Sequence, residues 1–165
     1  MIKNKNKVAI IVPIYKNQLN ENELVSLSKL DHYLSNYSIY SIGPKNTSRR
    51  FPNYKFCELN PKYFNDVASY SKLLLTKEFY KCFANYDFML IYQIDCLVFS
   101  SDLDHWCDLG YDYIGAPWFR VKKNAKSGFS RVGNGGLSLR KIKSFLNVLN
   151  SKKPKSWLSF LNESF

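Results

Sequence analysis

The chain has 165 residues, 45% of them hydrophobic, with 24 Lys and Arg against 13 Asp and Glu and a formal charge of +11. That length holds a single domain, one that hides roughly 70% of its unfolded surface and needs no disulfide or zinc staple. The hydrophobic share excludes a disordered chain, apolar runs of about eight residues exclude a membrane-spanning helix of ~20, and no collagen or solenoid period is present.

Val8 to Tyr15 (VAIIVPIY) is a continuous β-branched apolar run, the pattern of a strand buried on both faces of a parallel sheet. Asn20 and Glu23 have capping-box spacing, and Leu24, Leu27, Leu30 and Leu34 follow at helical intervals. Ser38 to Ile42 reads as a short strand closed by Gly43-Pro44, and 46–52 (NTSRRFP) as a basic loop. Tyr54 to Leu59 alternates like a strand and stops at Asn60-Pro61. Asp66 to Leu75 and Lys77 to Phe83 read as helices, with Thr76 capping the second. Asp87 to Tyr92 (DFMLIY) is a second buried strand, and Leu97 to Phe99 a short extension. Ser101 to Cys107 is a short helix stopped by Gly110. Tyr113 to Ala116 and Leu137 to Leu139 are strands, and Ile142, Phe145, Leu146 and Leu149 mark a last helix. This alternation predicts an α/β fold, one domain over residues 1–165, with a mostly parallel central sheet flanked by helices. Ligands of such sheets bind beyond the carboxyl ends of the strands, so the residues after Tyr15 and after Tyr92 are the first candidates.

The charge is uneven. From Cys82 to Phe119 there is no Lys or Arg but six Asp, at 87, 95, 102, 104, 108 and 112, while the remainder of the chain carries +17. An acidic island in a basic field suits a bound cation or polar substrate, with the surrounding bases steering an anionic ligand towards it. The excess of Lys, Asn, Ile, Tyr and Phe is also what an AT-rich coding sequence yields with no function attached. Cys57, Cys82, Cys96 and Cys107 show no C-x-x-C spacing and His32 and His105 are far apart, so zinc and disulfide readings are weak. Cys82 and Cys96 read as small core residues. The N-terminus lacks a cleavable signal peptide, and reduced cysteines point to the cytoplasm.

Three segments could carry chemistry. Pro13-Ile-Tyr-Lys16 follows the first strand without a dinucleotide fingerprint or phosphate loop; it is either an ordinary loop or a place where a nucleotide packs on Tyr15. Asp95 is a lone carboxylate between apolar runs, and a buried, unpaired carboxylate calls for a partner or a metal. Gln93 shares its face if the backbone is extended. The alternative is a strand-end Asp that accepts from neighbouring amides. The literal D-x-D at Asp102–Asp104 is better read as a helix start, Ser101 and Asp104 having capping-box spacing and Leu103 and Trp106 supplying the buried side. Gly133-Asn-Gly-Gly136 before Leu137-Ser-Leu-Arg140 permits either close approach of a ligand or a bulged turn.

In order, these segments resemble a nucleotide-sugar glycosyltransferase of the GT-A fold, and more narrowly a glycosyltransferase-like family with "YQ-x-D" and "GNGG-[FL]-S-L-R" motifs, from about Val8 to Leu149. The resemblance implies that Asp95 binds the Mn²⁺ or Mg²⁺ that holds the donor diphosphate, while Gln93 replaces the first acid of the metal motif. Lys72 matches a base that glycogenin-like enzymes place near the donor phosphates. Pro13, Tyr15 and Lys16 correspond to the loop that holds the nucleotide base. Asn134, Gly135 and Gly136 correspond to the turn between donor sugar and acceptor. Asp102 to Trp106 matches a structural helix. An acidic "E-D-x-x-F" segment of related sequences has only Glu163 as a poor counterpart near the end, so the chain reads as truncated or degenerate and no catalytic base is named.

The implied activity is sugar transfer from a nucleoside-diphosphate sugar to a glycan, lipid-linked or protein acceptor in surface glycan synthesis, in the cytoplasm or at the inner face of the membrane. Lys122, Lys123, Lys126 and Arg131 would face an anionic membrane or lipid-linked acceptor. The alternative is a non-catalytic nucleotide- or sugar-binding remnant or a subunit of a larger assembly. Nucleic-acid binding ranks last, because the aromatics cluster in the window that has no bases.

Overall fold

The structure, a computed structural model, describes residues 7–16, 18–45, 47, 53–119 and 128–151. The chain runs β1 (Val8–Pro13), α1 (Glu21–Leu34), β2 (Ser38–Gly43), β3 (Lys55–Glu58), a 3-10 turn (Pro61–Tyr63), α2 (Val67–Leu73), α3 (Lys77–Lys81) and β4 (Phe88–Tyr92). It continues through α4 (Leu103–Asp108), β5 (Tyr113–Gly115), β6 (Pro117–Phe119), β7 (Phe129–Val132), β8 (Leu137–Lys141) and α5 (Ile142–Asn150).

The two apolar runs become the paired central strands β1 and β4, buried along their whole lengths. Their side chains alternate between two cores. Val8, Ile10 and Val12 of β1, with Phe88, Leu90 and Tyr92 of β4, pack on Leu27, Leu30 and Leu34 of α1. Ala9, Ile11, Met89 and Ile91 pack on the opposite side against Leu73, Phe79, Tyr80 and Phe145 from α2, α3 and α5. A strand apolar on both faces is stable only between two such helical layers. Each fully buried aliphatic or aromatic side chain contributes about 1.5–3 kcal/mol.

The main sheet has the order β3-β2-β1-β4-β8-β5. β1 to β4 are parallel, and β8 runs antiparallel to both of its neighbours, β4 and β5. The fold is therefore α/β with a six-stranded, mostly parallel sheet flanked by helices, as expected from the alternation of elements. β6 and β7 form a separate two-stranded ladder, which the sequence does not announce, since Pro117-Trp-Phe119 is short and has no alternation. No helix among the described residues is long and apolar enough to cross a membrane.

Several local expectations are corrected. The capping box of Asn20 and Glu23 forms, but it turns Glu23 and Ser26 inward with Leu27, Leu30 and Leu34, and leaves Leu24 exposed. Ser101 and Asp104 form no capping box; Asp102 is the N-cap of α4 without a side-chain cap bond, and the Ser100 hydroxyl donates to its carboxylate. α4 buries Leu103 and Cys107, while Trp106 is 48% exposed. Cys107 is thus the buried cysteine, Cys96 is half-buried and Cys82 exposed. Leu97 to Phe99 is not a strand, because the chain has already turned at Gln93, whose carbonyl accepts from the Cys96 amide at 3.0 Å.

Candidate functional site: a cleft at the switch point of the sheet

From β1 the chain proceeds outward to β2 and β3 and then returns to place β4 on the other side of β1. The loops leaving β1 and β4 at their carboxyl ends therefore diverge and open a crevice, the usual ligand position of such sheets. Because β8 is antiparallel to β4, the glycine-rich segment before it arrives at the same end. A cleft of about 540 Å³ opens there. Its lining includes Pro13, Tyr15 and Lys16 after β1, Gln93 and Asp95 after β4, and Asn134 and Gly136 before β8. Segments far apart in sequence and singled out separately are thus brought together by topology alone. Trp118 of β6, Glu23 of α1 and the start of α2, through Asp66 and Tyr70, also line it.

Two expected members lie elsewhere. Gly135 is buried behind the lining, its carbonyl accepting from Ser138 Oγ at 3.3 Å. Lys72 is exposed on α2 outside the lining. Asp66 caps α2 by accepting from the Ser69 amide at 2.6 Å, which holds its carboxyl below the usual range. Lys122, Lys123, Lys126 and Glu163 lie outside the described residues, as does the side chain of Arg131.

Asp95 is exposed rather than buried. β4 ends at Tyr92, and the turn that follows lifts the carboxylate into the cleft, so the burial cost expected for it does not arise. The turn is clamped from beneath. The buried Tyr92 hydroxyl lies 2.9 Å from the Cys96 carbonyl, and Ser26 Oγ donates to that same carbonyl at 2.6 Å, tying the turn to α1. Gln93 is tied to the opposite wall by its main-chain N–H, which donates to the Gly136 carbonyl at 2.8 Å. A Cβ on Gly136 would lie 2.6 Å from Gln93 Oε1 and 3.2 Å from Asn134 Oδ1. The glycine is therefore required by a close approach, and the neighbour that needs the room is Gln93. The turn closes through the Gly136 amide donating to Asn134 Oδ1 at 2.9 Å, and the Tyr113 hydroxyl donates to the Asn134 carbonyl at 2.9 Å.

Lys16 and Glu23 form an ion pair at 2.5 Å across the cleft wall. The other oxygen of Glu23 accepts from the Asn20 amide at 2.9 Å. Lys16 first, then the Asn20 amide, hold the Glu23 carboxyl below its ordinary value of 4.5. A depressed carboxyl pKa contributes stability that is complete above the unfolded value and lost as pH falls through the folded one. Thermal melts between pH 6 and 3 should therefore fall below about pH 4.5, and less so in Glu23→Gln; parallel curves for the two proteins would refute the assignment. The sequence pattern gives Glu23 a capping role alone, since its partner is fixed only by the exit path of β1.

Arg140, 2% exposed, is paired with Met89 near the amino end of β4, and its side chain runs back along β8 towards the cleft end. Its Nε donates to Ser138 Oγ at 3.0 Å and its Nη1 to the Tyr80 hydroxyl at 2.8 Å, and its guanidinium carbon is 5.4 Å from the centre of the Phe145 ring. The ion pairs among the described residues, Lys7 with Asp108 and Lys16 with Glu23, do not involve it. Also beneath the cleft is Tyr70, 6% exposed, whose hydroxyl has no hydrogen-bond partner among the described residues.

As for a metal, no group of three or more His, Cys, Asp or Glu side chains comes together among the described residues. Glu23 and Asp66 are committed to Lys16 and to a helix cap, whereas the contact made by the Asp95 carboxylate is with the weak thiol donor of Cys96, at 3.7 Å. That leaves one open carboxylate, a donor set suited to Mg²⁺ or Mn²⁺ only when ligand phosphates and water supply the other positions.

A family model described as "Protein of unknown function (DUF5672)" matches residues 53–164, more than half of the chain, and the chain belongs to that family. No curated protein matches it. Among solved structures, the bifunctional IspDF from Campylobacter jejuni is similar at 12% identity and a TM-score of 0.47, over 95% of this chain and 47% of that one. The chain thus spans about half the length of that protein.

Proposed function

We propose that this member of the family binds a nucleoside-diphosphate sugar in the switch-point cleft and transfers the sugar to an acceptor, using a GT-A-like form of the α/β fold. The observation that carries the reading is the convergence of Tyr15, Asp95 and the Asn134–Gly136 turn on one cleft at the carboxyl ends of β1 and β4. Tyr15, 48% exposed, offers a ring face for a nucleobase. Asp95 would hold Mn²⁺ or Mg²⁺ between the protein and the diphosphate, and the bound ion would supply Lewis acidity towards the departing diphosphate. Lys16 stands nearby; its charge is felt together with that of Asp95. Asn134 and Gly136 would border the donor sugar. The basic remainder of the chain favours encounter with an anionic donor. The acceptor, whether glycan, lipid-linked or protein, and any contact with a membrane surface belong to the same proposal, with a cytoplasmic location.

A non-catalytic nucleotide- or sugar-binding role is the second reading. What favours it is Gln93, which stands where the resemblance places an acid and is turned towards Gly136. Thermal unfolding with nucleoside diphosphates, with and without Mn²⁺, tests donor binding for both. Binding to the folded state alone raises stability by about 2.7 kcal/mol at a hundredfold excess over the dissociation constant. Stabilisation that increases with Mn²⁺ in the wild type and loses that increment in Asp95→Asn is expected. A chain that no nucleoside diphosphate stabilises, with or without metal, does not bind a donor. A transfer or donor-hydrolysis assay on the same proteins separates enzyme from binder.

A further inference from the structure

Two buried polar groups beneath the cleft are left incompletely matched. The first is the Tyr70 hydroxyl, an orphan among the described residues in a side chain that also lines the cleft. A buried hydroxyl without a partner costs about 1–3 kcal/mol relative to one that is bonded or absent. The second is the Arg140 guanidinium, bonded to neutral oxygens and paired with no carboxylate among the described residues. A buried ion ordinarily has a counter-charge. The two share one core: the Tyr80 hydroxyl, which accepts from Arg140, donates to the carbonyl of Leu74, one helical turn after Tyr70 on α2. The Arg140 charge and the Gln93 side chain both act on the Tyr70 hydroxyl, although Gln93 does not meet hydrogen-bond geometry with it. Gln93 and Tyr15 line the cleft together with Tyr70 itself.

We infer that the floor of the cleft at Tyr70 is an oxyanion site, in which the Tyr70 hydroxyl donates to a phosphoryl oxygen of the ligand and Arg140 behind it supplies the counter-charge. The inference rests on the proposed donor reading for the identity of the ligand, not for the existence of the site. A phosphoryl oxygen entering between Tyr15 and Gln93 satisfies the orphan hydroxyl and brings negative charge towards Arg140 in one step. Burial raises the pKa of Tyr70 well above its ordinary value of 10.0, so the hydroxyl keeps its proton and acts as a donor. Arg140 does not touch the ligand. It is a positioning residue, which also braces the glycine turn through Ser138 Oγ and the Gly135 carbonyl.

The decisive variant is Tyr70→Phe, which removes only the hydroxyl. A purely structural tyrosine loses stability on this change or is indifferent to it. An orphan donor kept for a ligand behaves in the opposite way: the free protein gains about 2–4 °C in melting temperature while anion affinity falls about tenfold or more. Titrations with pyrophosphate, with UDP and GDP, and with uridine and guanosine, on wild type and Tyr70→Phe, read both effects. The site is supported if pyrophosphate or either diphosphate binds the wild type at least tenfold more tightly than the variant, while the two nucleosides do not discriminate. Binding of pyrophosphate alone with that same dependence upholds the oxyanion site and removes the nucleotide-sugar reading. Equal diphosphate affinity in both proteins overturns the oxyanion site and leaves the nucleotide reading intact. Absence of any anion binding at millimolar concentration, or a lower melting temperature for Tyr70→Phe, also overturns the oxyanion site.

Discussion

Arg140→Ala is expected to be among the most destabilising substitutions in this chain, at about 3–5 kcal/mol, whereas Arg140→Met is expected to stay within about 2 kcal/mol of the wild type. The difference follows from which effect dominates at a buried cation. In favour of the guanidinium are two hydrogen bonds, to Ser138 and Tyr80, of about 1.5–3 kcal/mol each, and a contact with the Phe145 ring. Against it stands the desolvation of an ion, several kcal/mol when no carboxylate compensates it. These nearly cancel, and what remains is volume. Alanine leaves a cavity between β8 and the α3–α5 layer; methionine fills most of it without a charge. The hydroxyls stripped of Arg140 stay bonded, Tyr80 donating to the Leu74 carbonyl at 3.0 Å and Ser138 to that of Gly135 at 3.3 Å, so neither is orphaned in the variants. Urea unfolding of both variants checks the ranking. Equal losses for Met and Ala would show that the guanidinium itself, not its bulk, holds the core.

Arg140 also marks where the sequence stops being informative. Leu137-Ser-Leu-Arg-Lys141 alternates, and alternation normally means one dry face and one wet face. Leu139 does face the α1 core, but Arg140 points into a second dry layer, covered by α3 and α5. No local signal distinguishes a wet alternating strand from one that buries its polar side chains. The continuous apolar runs of β1 and β4 are legible for the converse reason: a strand without polar positions has only one place in an α/β fold. The antiparallel insertion of β8 between β4 and β5 has no local signal either, since strand direction is a property of the long connection preceding it.

The site is legible by position and illegible by contact. The rule about carboxyl ends of strands directs attention to Tyr15, Gln93 and Asp95, all of which line the cleft. That Gln93 fits the space left by Gly136 is not readable, because a glycine permits approach without naming what approaches. Asp95 reads as buried in the sequence because its apolar neighbours suggest a continuing strand, whereas Ser26 and Tyr92 hold a turn there. Tyr70 belongs to the Tyr70–Leu74 segment that enters the resemblance, but there the role falls to Lys72, and Tyr70 reads as one aromatic of a helix.

Gly43→Ala should destabilise the chain by about 2–3 kcal/mol and lower its melting temperature by about 5–10 °C, far more than an alanine costs at most glycines. A Cβ at Gly43 would lie 2.5 Å from Thr47 Oγ1 and 2.6 Å from the Ile14 carbonyl oxygen. Neither neighbour can yield cheaply. Thr47 is buried, and its hydroxyl donates to the Pro44 carbonyl at 2.7 Å; Ile14 is fixed by its amide, which donates to the Ile42 carbonyl at 3.0 Å. Gly43 is itself held from the other side, its carbonyl accepting from the Leu59 amide at 3.0 Å. The strain is therefore relieved by parting β2 from β1 at the point where the chain leaves for Tyr15 and Lys16. Gly110→Ala is the control. Gly110 has φ +74, and a methyl placed on its Cα would meet nothing within 4 Å, so its cost is conformational alone, about 1 kcal/mol. Because the damage at Gly43 is next to the cleft and that at Gly110 is not, Gly43→Ala should also weaken any anion that binds the wild type, measured below the melting temperature of the variant, while Gly110→Ala leaves affinity unchanged. A Gly43→Ala protein as stable as Gly110→Ala would mean that β2 gives way without cost, and that the wall of the cleft behind Tyr15 is not rigid.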